Sequence, residues 1–274
     1  MTAKTIMIQG TTSNAGKSVL AAALCRIFAE SGLRVAPFKA WNMSANSYTT
    51  KTGLQIGVAQ GTQAEILGLE PTGMMNPIFL KPCGNGEMEV YIRGELRKGA
   101  IQGSFKDFAW PIIQESLQEL QTTFDVIVLE GAGSPVELNI KSKEVVNMRV
   151  ARYANAPVLL VADVHRGGAL AGVIGTFDLL EPIEKSLVIG SVLNKFRGDI
   201  EILRPGCTVI TEYTGLPVVG IIPHVAKHGL PEEDGAEGRL GDERFSEKDF
   251  SGFVATIREK LDLEYIYTKM GLME

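Results

Sequence analysis

The sequence predicts an α/β fold, built on a mostly parallel, doubly wound sheet with helices on both faces. Three observations carry this. Apolar, β-branched runs alternate with helical patterns along the chain. The apolar runs are continuous, which is the pattern of strands covered on both faces. Strand and helix patterns take turns, so successive strands are joined by right-handed crossovers. At 274 residues, 45% hydrophobic and 22% charged, the chain is long enough for one large α/β domain or two small ones.

The elements follow in order. A strand is predicted at 4–9 (KTIMIQ), then a helix at 17–30 with Gly32 as its C′ residue, then a strand at 34–38 (RVAPF). Residues 40–104 are less regular, with a short helix near 57–67 and a hairpin around 88–97. An insertion near the carboxyl ends of strands usually shapes a ligand site. Helix 107–122, strand 125–130 (DVIVLE), helix 144–154 and strand 157–163 (PVLLVAD) come next. Helix 168–180, strand 187–193 (LVIGSVL), helix 206–214 and strand 217–222 (PVVGII) complete the alternation. Residues 228–248 (HGLPEEDGAEGRLGDERFSEK) are Gly-rich and charged and read as a flexible linker or loop. The expected organisation is a main domain at 1–227, that linker, and a helical tail at 249–274. No internal repeat is present.

Composition excludes several classes. Net charge is −5 with no basic patch, so nucleic acid is not the expected ligand. No apolar stretch approaches the ~20 residues that span a bilayer, so no membrane partner is expected. The N-terminus enters a strand without a signal-peptide layout, and a cytoplasmic location is expected. The three cysteines, Cys25, Cys83 and Cys207, are dispersed without a CxxC spacing. Cys25 falls on the apolar face of the first helix and reads as a core residue. His165, His224 and His228 lack zinc-site spacing and read as loop histidines.

The stretch IMIQGTTSNAGKSVL carries the strongest local signal. An apolar strand meets a Gly-bounded polar loop ending in Gly-Lys-Ser, and a helix begins. Backbone N–H groups of such a loop, with a helix N-terminus behind them, cradle phosphates. The cradle is Gly10, Thr11, Asn14, Ala15, Gly16, Lys17, Ser18 and Val19. Lys17 is placed to reach the β- and γ-phosphates, and Ser18 to offer its hydroxyl to Mg²⁺. This makes the sheet one of P-loop NTPase type. Five residues, not four, separate Gly10 from Gly16, a spacing found in one branch of those proteins.

QGTTSNAGKS, VAPFKAWNMSANSY, VLEGAGSPVELNI, VADVHRGGAL, LNKFRGD and IIPH occur in this order across residues 4–235. Together they resemble the synthetase domain of the cobyric acid synthase family, which is related to dethiobiotin synthetase and to the MinD/ParA group. The resemblance implies ATP-dependent, glutamine-dependent amidation in cobalamin biosynthesis. ATP phosphorylates a substrate carboxylate, and a nitrogen nucleophile displaces phosphate from the acyl phosphate. Catalysis of that kind is mostly positioning and cationic stabilisation.

The resemblance carries roles residue by residue. Lys17, Lys39, Glu130 and Asp163 are the implied catalytic groups. Lys39 occupies the position of a second active-site lysine in dethiobiotin synthetase, so Lys17 and Lys39 could clamp one phosphoryl group. Glu130 with Ser18 is the implied Mg²⁺ set; a salt bridge from Glu130 to Lys17 is compatible with it. Gly131, Ala132 and Gly133 would let backbone N–H groups approach the γ-phosphate or the acyl phosphate. Asp163 is either a metal- or substrate-orienting acid or a cap for the helix after Gly167. Arg166 suits a substrate carboxylate or phosphate. Asn194 and Lys195 stand where relatives read adenine, and Pro223 flanks the base. Asn42, Ser44, Asn46 and Ser47 suit a polycarboxylate corrinoid, like cobyrinic acid a,c-diamide.

Some positions depart from the family pattern. Trp41 replaces the glutamine of QNMSNNSY, removing an acceptor and adding bulk. His165 stands where relatives carry an acid. Gln60 and Gln63 fall where dethiobiotin synthetase has a metal-binding Asp. None of the cysteines lies in a G-x-C-x-G glutaminase elbow: Cys83 reads KPCGN and Cys207 reads PGCTV. A truncated chain, free ammonia and a separate glutaminase subunit are three open arrangements, and the tail favours a naturally short protein. A homodimer is a further open arrangement. Two alternatives stand beside the amidating reading. A MinD/ParA-like ATPase switch would need a lysine early in the loop, which TTSNA lacks. A dethiobiotin synthetase-like enzyme is disfavoured by NMSANSY and HRGG.

Overall fold

The computed structural model describes residues 2–84, 86–99, 101, 104–141, 144–231 and 245–273. The chain opens with β1 (Lys4–Gly10), α1 (Lys17–Glu30) and β2 (Val35–Phe38). The insertion follows: β3 (Trp41–Met43), β4 (Ser47–Thr49), β5 (Gln55–Gly57), α2 (Val58–Ile66), β6 (Ile78–Gly84), β7 (Glu87–Ile92) and β8 (Glu95–Leu96). The alternation then resumes with α3 (Phe105–Thr123), β9 (Val126–Glu130), α4 (Met148–Ala154), β10 (Val158–Asp163), α5 (Ala169–Leu179), α6 (Pro182–Lys185) and β11 (Val188–Phe196). It ends with α7 (Arg204–Thr214), β12 (Val218–Pro223), α8 (Glu247–Lys260) and α9 (Leu263–Met270).

Six strands form one sheet in the order β12-β11-β10-β1-β9-β2, and every pairing in it is parallel. The expected α/β fold is therefore present. β1 lies between β9 and β10, where the strand order reverses, and such a switch point opens a crevice beyond the carboxyl ends of the strands. The apolar runs are continuous because both faces are buried. Ile6 and Ile8 enter one core with α1, while Met7 enters the other with α3 and α4.

The insertion is more ordered than the sequence reading suggested. β3, β6, β7 and β8 form a second sheet, and β4 pairs with β5. The hairpin expected around 88–97 corresponds to β7 and β8. β3, only three residues long, leaves no periodic signature in the sequence. The helix expected at 144–154 begins at Met148 instead. The Glu144 carboxylate accepts the N–H groups of Val146, Asn147 and Arg149, which holds this segment ahead of the helix as a cap.

Residues 232–244 of the expected linker lie outside the described residues. The helices beyond them share the core of α1. Phe250, Ile257 and Ile266 are fully buried there. Arg26 of α1 grips the Glu247 carboxylate with two nitrogens at 3.0 and 2.9 Å, and Asp262 N–H donates to Val219 O of β12 at 2.8 Å. No helix among the described residues is long and apolar enough to cross a membrane.

Truncating Phe250 would open a cavity between α8 and α1. Phe250→Ala is expected to lower stability by about 3–5 kcal/mol in urea denaturation. Ser251→Ala, on the exposed face of the same helix, is expected to stay within about 0.5 kcal/mol. Equal midpoints for the two variants would detach α8 from the core.

Candidate functional site

Loops from β1, β2, β9, β11 and β12 meet around a cavity of about 810 Å³. The loop after β1 enters α1 through Gly16, whose φ of 96° is left-handed. A Cβ at Gly16 would lie 2.1 Å from Asn194 Nδ2, so only glycine satisfies both the backbone and the neighbour. Asn194 Nδ2 donates to Ala15 O at 2.9 Å. Lys195 Nζ donates to Asn14 O and pairs with Asp163 Oδ2 at 3.0 Å. The ends of β10 and β11 thus grip the loop from the side.

Lys17 is buried at the start of α1, and its ammonium donates to Thr12 O at 3.1 Å and Gly133 O at 3.3 Å. It bridges the loop after β1 and the loop after β9. Ser18 Oγ donates to Glu130 Oε1 at 2.7 Å. Glu130 is only 2% exposed and ends β9. Lys39 Nζ donates to the same oxygen at 3.0 Å. Gln60 Nε2 at 3.3 Å and Gln63 Nε2 at 3.4 Å approach Oε2. A buried carboxylate requires this degree of pairing. The salt bridge that the sequence reading allowed between Glu130 and Lys17 is instead made to Lys39, because β2 and β9 are neighbours and their ends coincide.

The loop after β9 departs from expectation. Gly131 N–H donates to Ile8 O at 2.9 Å, and Ala132 N–H donates to Asn147 Oδ1 at 3.1 Å. These two amides are committed within the fold rather than turned to a phosphate. Asn147 Nδ2 also donates to Ala132 O and Ser134 O at 2.7 and 3.2 Å. A Cβ at Gly131 would lie 2.1 Å from Asn147 Oδ1, so this glycine makes room for the asparagine. Asn147 was missed in the sequence. It fell inside the helix expected at 144–154, so no local signal marked it.

Other expected residues divide. Asn42 lines the cavity beside Trp41 and Met43, and Trp41 meets Phe105 edge-on at 4.9 Å. Ser44 and Asn46 are buried, with Asn46 N–H donating to Ser44 Oγ at 3.1 Å. Ser47 Oγ accepts from Lys81 Nζ at 3.3 Å. None of these last three is on the cavity wall. Asn194, expected beside the base, has its amide nitrogen on Ala15 and its Oδ1 on Lys195 N–H. Asp163 does not cap the following helix. It accepts His165 N–H at 2.9 Å, and α5 starts from Gly168 without a side-chain cap. Arg166 is exposed, 3.8 Å from Asp163, and off the cavity wall. Pro223 lies on that wall.

The donor set suits a hard divalent cation. Ser18 and Glu130 bring oxygen ligands together, as Mg²⁺ prefers, and Mg²⁺ usually keeps waters or phosphate oxygens in its remaining positions. Among the described residues no group of three His, Cys, Asp or Glu could hold a metal. Burial, with Glu130 nearby, pushes the Cys25 thiol far up, and burial also raises that of Cys207. Neither is an activated nucleophile.

Removing Lys39 takes away the counter-charge that the buried Glu130 carboxylate holds in the structure. Lys39→Met is expected to cost about 3–5 kcal/mol of stability. Adding Glu130→Gln should recover a large part of it, as read by a double-mutant cycle in urea. Strict additivity would contradict the pairing.

Residues 6–235 match the family model described as the CobQ/CobB/MinD/ParA nucleotide binding domain. The chain is 53% identical over 233 residues to the cobyric acid synthase of Desulfitobacterium hafniense (strain DSM 10664 / DCB-2), covering 84% of this chain and 45% of that protein. It is 52% identical to the cobyric acid synthase of Moorella thermoacetica, covering 85% and 46% respectively. It is 49% identical to the probable cobyric acid synthase of Methanothermobacter thermautotrophicus, covering 86% and 48%. The chain spans about half the length of the curated relatives it matches. It belongs to the CobQ/CobB/MinD/ParA nucleotide-binding domain family.

Proposed function

We propose that this family member is an ATP-dependent carboxylate–amine ligase that amidates a corrinoid polycarboxylate in cobalamin biosynthesis, in the cytoplasm. The observation that carries the reading is Glu130. One buried carboxylate touches Ser18 of the phosphate loop and the Lys39 ammonium, inside a cavity that continues to Asn42 and Trp41. Phosphate chemistry and a second substrate thus have adjoining places. The names of the relatives support the same reaction class.

The chemistry balances in two steps. A substrate carboxylate oxygen bonds to the γ-phosphorus, and the bond to ADP breaks. Neutral ammonia then attacks the carbonyl carbon of the acyl phosphate; phosphate leaves, taking up the proton lost by nitrogen. Lys17 exchanges its carbonyl partners for phosphoryl oxygens, and Lys39, held by the Glu130 carboxylate, stabilises the negative charge that develops. Mg²⁺, held by Ser18 and Glu130, would neutralise phosphate charge when bound. Trp41 contributes apolar surface to the substrate end, where a planar-faced macrocycle can rest.

Lys17→Ala is expected to lose on the order of 2–4 kcal/mol of transition-state stabilisation in ATP turnover. Wild-type turnover in that variant would remove Lys17 from the chemistry.

The nitrogen source provides an independent check. The 274 residues contain no G-x-C-x-G elbow, so the isolated chain should use ammonia and leave glutamine untouched until a glutaminase partner is added. Only neutral ammonia has a free lone pair, and its share grows about tenfold per pH unit below the ammonium pKa. Amide formation from ammonium salts should therefore rise as the pH goes from about 7 towards about 9, measured by product mass with the fold monitored in parallel. Robust glutamine-driven amidation by the pure chain would refute this.

A further inference from the structure

The cavity has two chemically different ends. One carries Lys17, Lys39 and Glu130. The other is walled mainly by Val19, Pro223, Val225, Leu230 and Phe253, with His224 and His228 among them. Phe253 belongs to α8, which lies beyond residues 6–235 matched by the family model. Phe253 is 6% exposed, shares a hydrophobic cluster with Val19 and Leu230, and meets the His228 ring at a centroid distance of 6.3 Å. Val19 directly follows the phosphate-loop Ser18, so this wall adjoins the cradle. The helix is held in place by the paired Arg26–Glu247 contacts and by the Arg26 guanidinium 5.7 Å over the Phe250 ring.

We propose that α8 completes the nucleotide site, with Phe253 and Leu230 forming the wall against which the purine of a nucleoside triphosphate lies. This rests on the nucleotide reading above. A charged end joined to an apolar one matches the two halves of such a ligand, and a base loses water most favourably against aromatic and aliphatic carbon. Affinity for the base is then set by a segment outside the family domain, while affinity for the phosphates is set by the loop after β1. Asn194, which also lines the cavity, braces Ala15 and Lys195.

The test separates the two halves of the ligand. Dissociation constants are measured by calorimetry for Mg-ATP and for Mg-bound inorganic triphosphate, using wild type, Phe253→Leu and Phe253→Ala. Phe253→Ala should weaken ATP binding about tenfold and leave triphosphate binding within about twofold. Phe253→Leu, which keeps the core filled, should shift ATP in the same direction by a smaller factor. The ATP-to-triphosphate ratio within one variant cancels any change in the folded fraction. If Phe253→Ala does not fold, the ratio in Phe253→Leu decides. An unchanged ratio overturns the proposal and leaves the phosphate loop standing. A wild-type chain that binds neither ligand overturns this proposal together with the nucleotide reading.

Discussion

The site is organised by one buried ion pair. Lys39 follows β2 and Glu130 ends β9, and the strands are aligned so that Phe38 faces Leu129. The next residue on each strand therefore meets its counterpart at the sheet's carboxyl edge, 3.0 Å apart. Burying either charge alone would be costly, so the pair fixes where both strands stop. Ser18 from α1 and Gln60 and Gln63 from α2 complete the shell of donors on the same carboxylate. A helix from the phosphate loop and a helix from the insertion are thereby tied to one atom group. An intact pair costs its own desolvation and adds little net stability, so its value lies in geometry: it holds a cation beside the phosphate loop before any substrate arrives.

Much of this architecture was legible in the sequence, for a physical reason. A strand buried on both faces must be apolar at consecutive positions, and Ile6, Met7 and Ile8 serve two separate cores. The phosphate loop was legible because strand, glycines, lysine and helix are contiguous. The missed features pair residues far apart in the chain. Asn147 and the loop after β9 are separated by 15 positions, Gln60 and Glu130 by 70, and Asn194 and Ala15 by 179. No local spacing announces such contacts. Asn147 and Asn194 satisfy backbone groups that local structure leaves open, and any side-chain amide at those places in space would serve.

The same reasoning applies to the polar run WNMSANSY, whose two ends sit differently. A cluster of Asn and Ser suits a polar ligand, but it equally suits irregular backbone that must be buried without a sheet partner. Ser44 takes the Asn46 amide and Ser47 takes Lys81. Only the front of the run reaches the cavity, through Trp41, Asn42 and Met43. The wall there is aromatic, as the Trp41 departure in the sequence indicates, and Trp41 meets Phe105 edge-on.

The extra residue between Gly10 and Gly16 has a consequence for the phosphate loop. A loop that turns its N–H groups inward to an anion must turn its carbonyls outward, and each carbonyl left without a partner away from water is a penalty. A longer loop has more of them to place. Here Thr12 O takes Lys17, Asn14 O takes Lys195, and Ala15 O takes Asn194. Asn14 and Lys195 both adopt left-handed backbone, at φ 59° each, a conformation that a surrounding structure must hold in place for residues with a Cβ. Asp163 supplies that hold by pairing with Lys195 at 3.0 Å. Gly16 then has to be glycine, because the amide that secures Ala15 occupies the space its Cβ would need. The lengthened loop and the Asn-Lys pair at the end of β11 are thus one device: the strand supplies the partners that the additional backbone requires.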